Sequence, residues 1–348
     1  MPVEAPVKKR HSSVNQPEKH KSKSNSMNLI DKIPVDLVLF MASPYIAGER
    51  PQEAISMAHK LWSKYGYTST LDILGEDMTS DADCEASVQN YIELANQIAA
   101  NPLPVPDTEQ RKQLTISLKP SMFSTISPGQ EGCEPALARA FSRIEKITAH
   151  AKELNINVTL EAEDYRWTDF QLNTYFDLLK KGYSNLGTVL QTRLFRTEKD
   201  LSRFDVDLKG KRVRLVIGIY NESESIAHTD KNVMKGLMVK YAGILLAKGV
   251  YVEFATHDEA CITGLINNVI EPGMISTDRF ETQFLHGVPR DQLQKSLTDA
   301  TFAPANPVLV RKYLPFGPGK VAGAYCRRRL KENPNMIGYG IKNLFKLQ

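Results

Sequence analysis

Short apolar, β-branched runs alternate with helical stretches from residue 69 to residue 314, and this beat constrains the fold more than any other feature of the chain. Eight runs read as strands: Ser69 to Leu74, Gln113 to Lys119, Asn157 to Glu161, Gly187 to Thr192, Val213 to Ile219, Val250 to Thr256, Phe280 to His286 and Val308 to Leu314. Between them Asp83 to Ala99, Ala136 to Leu154, Gln171 to Lys181, Asp230 to Ala247 and Asp291 to Asp299 carry helical periodicity. Strands joined through helices of this length form right-handed βαβ units and a parallel sheet. Eight such units predict an α/β chain closed into a (β/α)8 barrel, whose chemistry sits at the C-terminal ends of the strands. An open doubly wound sheet would carry G-x-G-x-x-G after its first strand, and no such run is present. Gly317-Pro-Gly-Lys320 lacks P-loop spacing and reads as a loop before the last helix.

Ahead of the first strand, Val35 to Ala47 and Pro51 to Tyr65 read as an N-terminal helical arm split by Gly48 and Pro51. The expected organisation is a basic disordered tail at 1–34, the arm at 35–66, the barrel at 67–335 and a C-terminal tail at 336–348. Six of the chain's cations lie within the first 28 residues against Glu4 and Glu18, a net of +4 that equals the whole chain's charge. The remainder balances at 38 basic and 38 acidic residues, which gives no electrostatic case for a nucleic-acid surface. Cys84, Cys133, Cys261 and Cys326 show neither CxxC spacing nor a histidine at metal-ligand distance, so a reducing compartment and no metal are expected. The most apolar window, Gly236 to Phe254, is interrupted by Lys240 and Lys248 and does not read as a membrane span. These features favour a cytoplasmic protein, with peripheral contact of the basic tail with an inner membrane as a sharper idea and a mitochondrial matrix address as the alternative.

Polar side chains gather where the predicted strands end. Lys119 closes the second strand; Glu161 and Glu163 close the third, and Gln191 the fourth. Arg214 lies inside the fifth, Thr256 and His257 close the sixth, Glu281 and Gln283 lie in the seventh, and Tyr313 is in the eighth. Singly, each has a dull explanation as a satisfied ion pair or core hydrogen bond. Their convergence on one barrel face points to a ligand site, and a buried Arg214 requires a partner that an anionic or carbonyl-rich cofactor would provide. Near the end, Tyr325-Cys-Arg-Arg-Arg-Leu-Lys-Glu-Asn333 places Tyr325, Arg328, Arg329 and Glu332 on one helical face. Two guanidinium forks beside an aromatic wall suit a small carboxylate, whereas the bland alternative is a solvated face with an Arg328 to Glu332 pair.

The order Ser-Leu-Lys119, Glu-Ala-Glu163, Leu-Gln191, Val-Arg-Leu-Val-Ile-Gly-Ile-Tyr220, Ala-Thr-His257, Phe-Glu-Thr-Gln283, Tyr-Leu-Pro-Phe-Gly317 and the Tyr325 to Asn333 motif resembles the proline dehydrogenase family over roughly residues 35 to 333. Gly75-Glu-Asp77 is similar to the monofunctional bacterial form. The resemblance implies a distorted barrel that holds FAD without a covalent bond. It further implies oxidation of L-proline to Δ1-pyrroline-5-carboxylate by hydride transfer to flavin N5, with a membrane quinone as electron acceptor and a separate pyrroline-5-carboxylate dehydrogenase taking the product. On the matching positions, Lys119, Arg328 and Arg329 would grip the substrate carboxylate, Tyr313, Tyr325 and Leu285 would wall its ring, and Glu332 would hold Arg328. Glu161 falls at the first carboxylate of the third-strand motif. Arg214 would lie against the flavin, with Gln191, Thr256, His257, Gly218 and Glu163 as further cofactor contacts.

The chain departs from the family pattern at four places. Glu161 stands where Asp is usual, Ile217 replaces a Lys, Ile219 replaces a small residue beside the substrate, and Asp258 stands for Asn. Strand parity would turn Ile219 away from the Arg214 side unless the strand bulges. Other readings are a flavin dehydrogenase for hydroxyproline or another small secondary amino acid, a barrel aldolase with Lys119 as Schiff-base lysine, and a non-catalytic barrel that has lost FAD.

Overall fold

All eight predicted strands form, each parallel to the next, and the sheet closes where the last pairs with the first, Thr68 opposite Arg311 through Ile73 opposite Phe316. The computed structural model describes residues 34, 37–38, 43–75, 78–205, 208–301 and 306–332, and within the last helix it describes no side chains at 320, 324 and 328–332. The strands are β1 Thr68–Ile73, β2 Thr115–Leu118, β3 Asn157–Leu160, β4 Leu186–Gln191, β5 Arg212–Val216, β6 Tyr251–Ala255, β7 Phe280–Leu285 and β8 Leu309–Phe316. Helix α1, Pro51–Tyr65, precedes β1; α2 Asp81–Ala100, α3 Cys133–Glu153, α4 Thr168–Lys180, α5 Thr197–Asp200, α6 Lys231–Ala247, α7 Glu259–Leu265, α8 Asp291–Thr298 and α9 Gly319–Glu332 follow β1 to β8 in turn.

Alternation along the strands divides the barrel into two environments. One set of side chains, including Leu71, Ile116, Val158, Leu215, Phe254 and Val310, is fully buried in the apolar layer between sheet and helices. The other set points into the barrel and is polar: Asp72, Ser117, Arg214, Glu253, Glu281 and Arg311 are each at most 2–3% exposed. Such charges persist in a low-dielectric interior only when paired. At the floor of the barrel Arg311 meets Glu281 at 2.6 Å and donates to the carbonyls of Ser69, Gln113 and Arg111. Most of the apolar core therefore lies outside the barrel wall, and paired charges dominate the inside.

Local chemistry sets the helix ends. Pro51 opens α1, and Gly66 closes it at φ 70°, donating its N–H to the Trp62 carbonyl. Ser80, Asp230 and Asp258 cap α2, α6 and α7 by accepting backbone N–H bonds. Helix α1 buries Ala54, Ile55, Ala58 and Leu61 as it packs on β1 and β8.

Three expectations shift. Strand β5 stops at Val216 rather than Ile219, because Gly218 turns the chain at φ 98°. The final helix begins at Gly319, so only Gly317 and Pro318 of the expected loop lie outside it. Helices α5 and α7 are too short to have shown periodicity in sequence. Of the predicted Val35 to Ala47 helix, the described part comprises helical Leu37 and Val38 and a 3-10 turn at Ser43–Tyr45. Residues 1–33 of the basic tail, Glu76, Asp77 and residues 336–348 lie outside the described residues. Among the described residues no helix is long and apolar enough to cross a membrane, and all four cysteines are buried free thiols.

Candidate active site

Two buried ion pairs occupy the C-terminal mouth of the barrel. Lys119, one residue past β2, pairs its ammonium with Asp72 on β1. The Lys119 side chain keeps 16% of its surface exposed while that of Asp72 keeps 1%, so the cation bridges solvent and the barrel interior. Burial pushes the Asp72 carboxyl above its usual range, against the opposing pull of Lys119.

The second pair centres on Arg214, in the middle of β5. Its Nη1 donates to Glu161, just beyond β3, and lies 3.3 Å from the Ser117 hydroxyl on β2, while its Nε lies 3.2 Å from Glu253 on β6. The Tyr313 ring centre lies 5.4 Å from the guanidinium carbon. Burial opposes the charge, but Glu161 and Glu253 outweigh it and hold the guanidinium above its ordinary pKa. Nη2 is buried and has no hydrogen-bond partner among the described residues. A buried guanidinium donor left open in this way fits a carbonyl-rich group at the barrel mouth.

Beside this pair, the Glu163 carboxylate accepts from the Ser121 backbone N–H at 2.8 Å and from its hydroxyl at 2.6 Å. The Gln191 amide donates to the Glu163 carbonyl at 2.8 Å. A side chain at Gly218 would bring its Cβ to 2.5 Å from Gln191 Oε1, so the turn after β5 presents bare backbone there. An apolar wall stands opposite: Tyr325 is buried with Val38, Tyr45, Leu74, Ala322 and Cys326, and Leu285 packs against this cluster.

A family model described as proline dehydrogenase matches residues 54–338. The proline dehydrogenase of Deinococcus radiodurans is 32% identical over 308 residues, 88% of this chain and 90% of that protein. Proline dehydrogenase 2 of Bacillus subtilis is 30% identical over 305 residues, 88% of this chain and 90% of its own length. The chain belongs to the proline dehydrogenase family. Among solved structures, proline utilization A from Bdellovibrio bacteriovorus, inactivated by N-propargylglycine, superposes over 85% of this chain with a TM-score of 0.73 at 22% identity. A variant of proline utilization A from Bradyrhizobium japonicum gives 0.69 at 20% identity over 86% of the chain. This chain spans about a third of those longer chains, 32% in each case.

In this chain the fold brings Lys119, Glu161, Arg214 and Tyr313 together at the barrel mouth, with Gln191, Gly218 and Glu163 at its side. Leu285 packs against the buried cluster that contains Tyr325. Thr256 and His257 serve the β6–α7 turn: the Thr256 hydroxyl accepts from the Asp258 N–H at 3.2 Å, and the His257 carbonyl accepts from Arg290 at 2.9 Å. Arg328, Arg329 and Glu332 fall on α9, and their side chains lie outside the described residues. Ile217 packs against the main apolar core. Ile219 lies beyond the end of β5, so strand parity no longer governs where it faces. The partner that Arg214 requires is provided by Glu161 and Glu253.

Sequence reasoning missed Asp72, Ser121 and Glu253. Two carried a readable signal: a carboxylate inside the predicted strand Thr-Ser-Thr-Leu-Asp-Ile and another inside Tyr-Val-Glu-Phe-Ala, each of which demands a buried partner. Ser121 carried none, because its role depends on a fold that brings residue 163 to it.

Burial pushes the Glu163 carboxyl up to about 7, against the lowering effect of the Ser121 hydrogen bonds. A raised folded-state value means that the native protein binds this proton more tightly than the unfolded chain. Its contribution to stability is therefore full below the unfolded value and is lost as pH rises through about 7. Glu163→Gln, which can still accept from the Ser121 N–H and donate to its hydroxyl, is expected to remove that loss. Urea denaturation should find the variant more stable than the parent by about 3 kcal/mol at pH 8, with the gap closing toward pH 4.5. A gap independent of pH would show that Glu163 does not titrate in this window.

Proposed function

We propose that this chain is an FAD-dependent proline dehydrogenase that oxidises L-proline to Δ1-pyrroline-5-carboxylate. The observation that carries the reading is the pairing, at one barrel mouth beside Tyr313, of Lys119 with buried Asp72 and of Arg214 with Glu161 and buried Glu253. Bound FAD supplies the hydride acceptor. Arg214 would hold it through the Nη2 donor, which has no partner among the described residues, and the side-chain-free turn at Gly218 would allow backbone to approach it closely. Gln191, Glu163, Thr256 and His257 complete the proposed cofactor contacts.

Lys119, joined by Arg328 and Arg329 of α9 with Glu332 holding Arg328, grips the substrate carboxylate. Tyr313, Tyr325 and Leu285 enclose the pyrrolidine ring and exclude water. Glu161 keeps Arg214 in place from the solvent side. A clamp distant from the reacting carbon limits the ring to one orientation, and orientation is the main contribution a protein can make to this transfer. In the same reading a membrane quinone takes the electrons and a separate dehydrogenase consumes the product.

Anaerobic titration of the purified protein with L-proline tests the proposal. A yellow protein whose flavin bands bleach on addition of L-proline is expected. A yellow protein bleached by hydroxyproline but not by proline would reassign the substrate, and one that stays colourless after FAD is added would refute the enzyme reading.

A further inference from the structure

The barrel interior holds more charge than a substrate clamp requires. Among the described residues Lys119, Arg212, Arg214 and Arg311 meet Asp72, Glu161, Glu253 and Glu281, four cations against four carboxylates. Three of these pairings have an evident use, two at the barrel mouth and one tying the floor together. Glu253 stands apart, because it lies deep on β6, takes no place in the proposed clamp, and binds two cations at once. Its Oε1 is 2.8 Å from Arg212 and its Oε2 is 3.2 Å from Arg214.

Arg212 is itself fixed to the barrel wall, donating to the Val158 carbonyl at 2.7 Å and to the Asn185 carbonyl at 3.1 Å. Gln283 donates to Glu253 Oε2 at 2.9 Å and to Glu281 at 2.6 Å, separating two carboxylates that would otherwise repel. A rigid line therefore runs from backbone carbonyls through Arg212 and Glu253 to Arg214. The Glu253 side chain is 3% exposed, whereas Glu161, the other partner of Arg214, keeps 13% of its side chain exposed at the mouth. A charge sealed from water acts over a longer distance than one that water screens.

We propose that Glu253 is a positioning residue that aims Arg214 at the flavin and, through its fixed negative charge, lowers the reduction potential there, with Arg212 as its counterweight. The inference rests on the reading of Arg214 as a flavin contact. It predicts effects of opposite sign from two neighbouring residues. Glu253→Gln removes a buried negative charge, so the flavin becomes easier to reduce and its midpoint potential moves positive. Arg212→Met removes a cation from the same line and moves it negative. Glu253→Asp keeps the charge and stays near the parent value. A merely structural role would lower stability in both variants without shifts of opposite sign.

The experiment is redox titration of the FAD-loaded, full-length protein and each variant against a reference dye, with thermal unfolding in parallel. The expected result is an about tenfold rise in the ratio of reduced to oxidised flavin for Glu253→Gln at fixed potential, and a fall of similar size for Arg212→Met. Should Glu253→Gln fail to fold, Arg212→Met and Glu253→Asp decide: a negative shift in the first with none in the second upholds the inference. Unchanged potentials, or shifts of one sign in Glu253→Gln and Arg212→Met, would overturn it while leaving the flavin reading intact. A parent protein that binds no FAD would overturn that reading and the inference with it.

Discussion

Replacing Arg214 with Leu is expected to destabilise the barrel by about 3–5 kcal/mol and to yield a protein that no longer retains FAD. The loss arises on the protein side, since Glu161 and Glu253 would be left as carboxylates facing one another without their shared cation. Buried at 2% exposure, Arg214 cannot be replaced there by water without opening the barrel. Lysine at the same position should be intermediate. One ammonium preserves the charge but cannot reach Glu161, Glu253 and Ser117 together as a planar fork does. Urea denaturation gives the stability, and the visible spectrum after gel filtration gives the flavin content. An Arg214→Leu protein that is yellow and as stable as the parent would refute both the ion-pair account and the proposed cofactor contact.

Replacing Lys119 with Met is expected to lower kcat/KM for L-proline by about a hundredfold to a thousandfold while leaving FAD bound. One charge-assisted hydrogen bond to the substrate carboxylate accounts for roughly tenfold to a hundredfold, and the lost orientation of the ring for the remainder. The fold should survive this change better than the loss of Arg214. Burial already pushes the Asp72 carboxyl upward, and losing Lys119 removes its main opposing pull and shifts it further toward the neutral form. Prolinamide separates clamping from general damage, because it lacks the carboxylate that Lys119 is proposed to hold. The parent should oxidise it slowly, and Lys119→Met should slow it little further. Equal losses on proline and prolinamide would mean that Lys119 acts on something other than the carboxylate. An aldolase-type role is tested in the same preparation, since borohydride with a carbonyl substrate would then label Lys119.

The two variants separate the parts of the site. Arg214 sits within the barrel and answers to Glu161 and Glu253, whereas Lys119 sits at the rim and answers to Asp72 and the solvent. Cofactor retention should follow the first residue and substrate selection the second.

Much of this arrangement was legible in the chain. Period-2 and period-3.6 patterns give the eight strands and the longer helices, because a half-buried strand and an amphipathic helix impose those periods whatever the tertiary context. Chain connectivity also implied that residues at the strand ends would meet, since a parallel barrel carries all its strand C-termini to one face. That is why Lys119, Glu161, Gln191, Arg214 and Tyr313 could be singled out before any contact was known. Helical spacing had already grouped Tyr325 with the arginines of α9, and the family resemblance added Leu285 and Gly218.

Pairing was a different matter. Which carboxylate meets which cation depends on how far each side chain reaches across the barrel and on the stagger between strands, and neither is written in a local pattern. Glu253 lies 39 positions from Arg214 and Asp72 lies 47 from Lys119, so no helical or strand spacing connects them. Likewise the length of β5 was overestimated, because Gly218 ends it by a turn that apolar neighbours on both sides conceal. By itself the sequence determined a closed parallel barrel and the face on which its chemistry lies, since these follow from periodicity and connectivity. Only the tertiary structure decided which charges share the interior, because ion pairing in a low-dielectric space is fixed by three-dimensional reach and by the requirement that no buried charge stand alone.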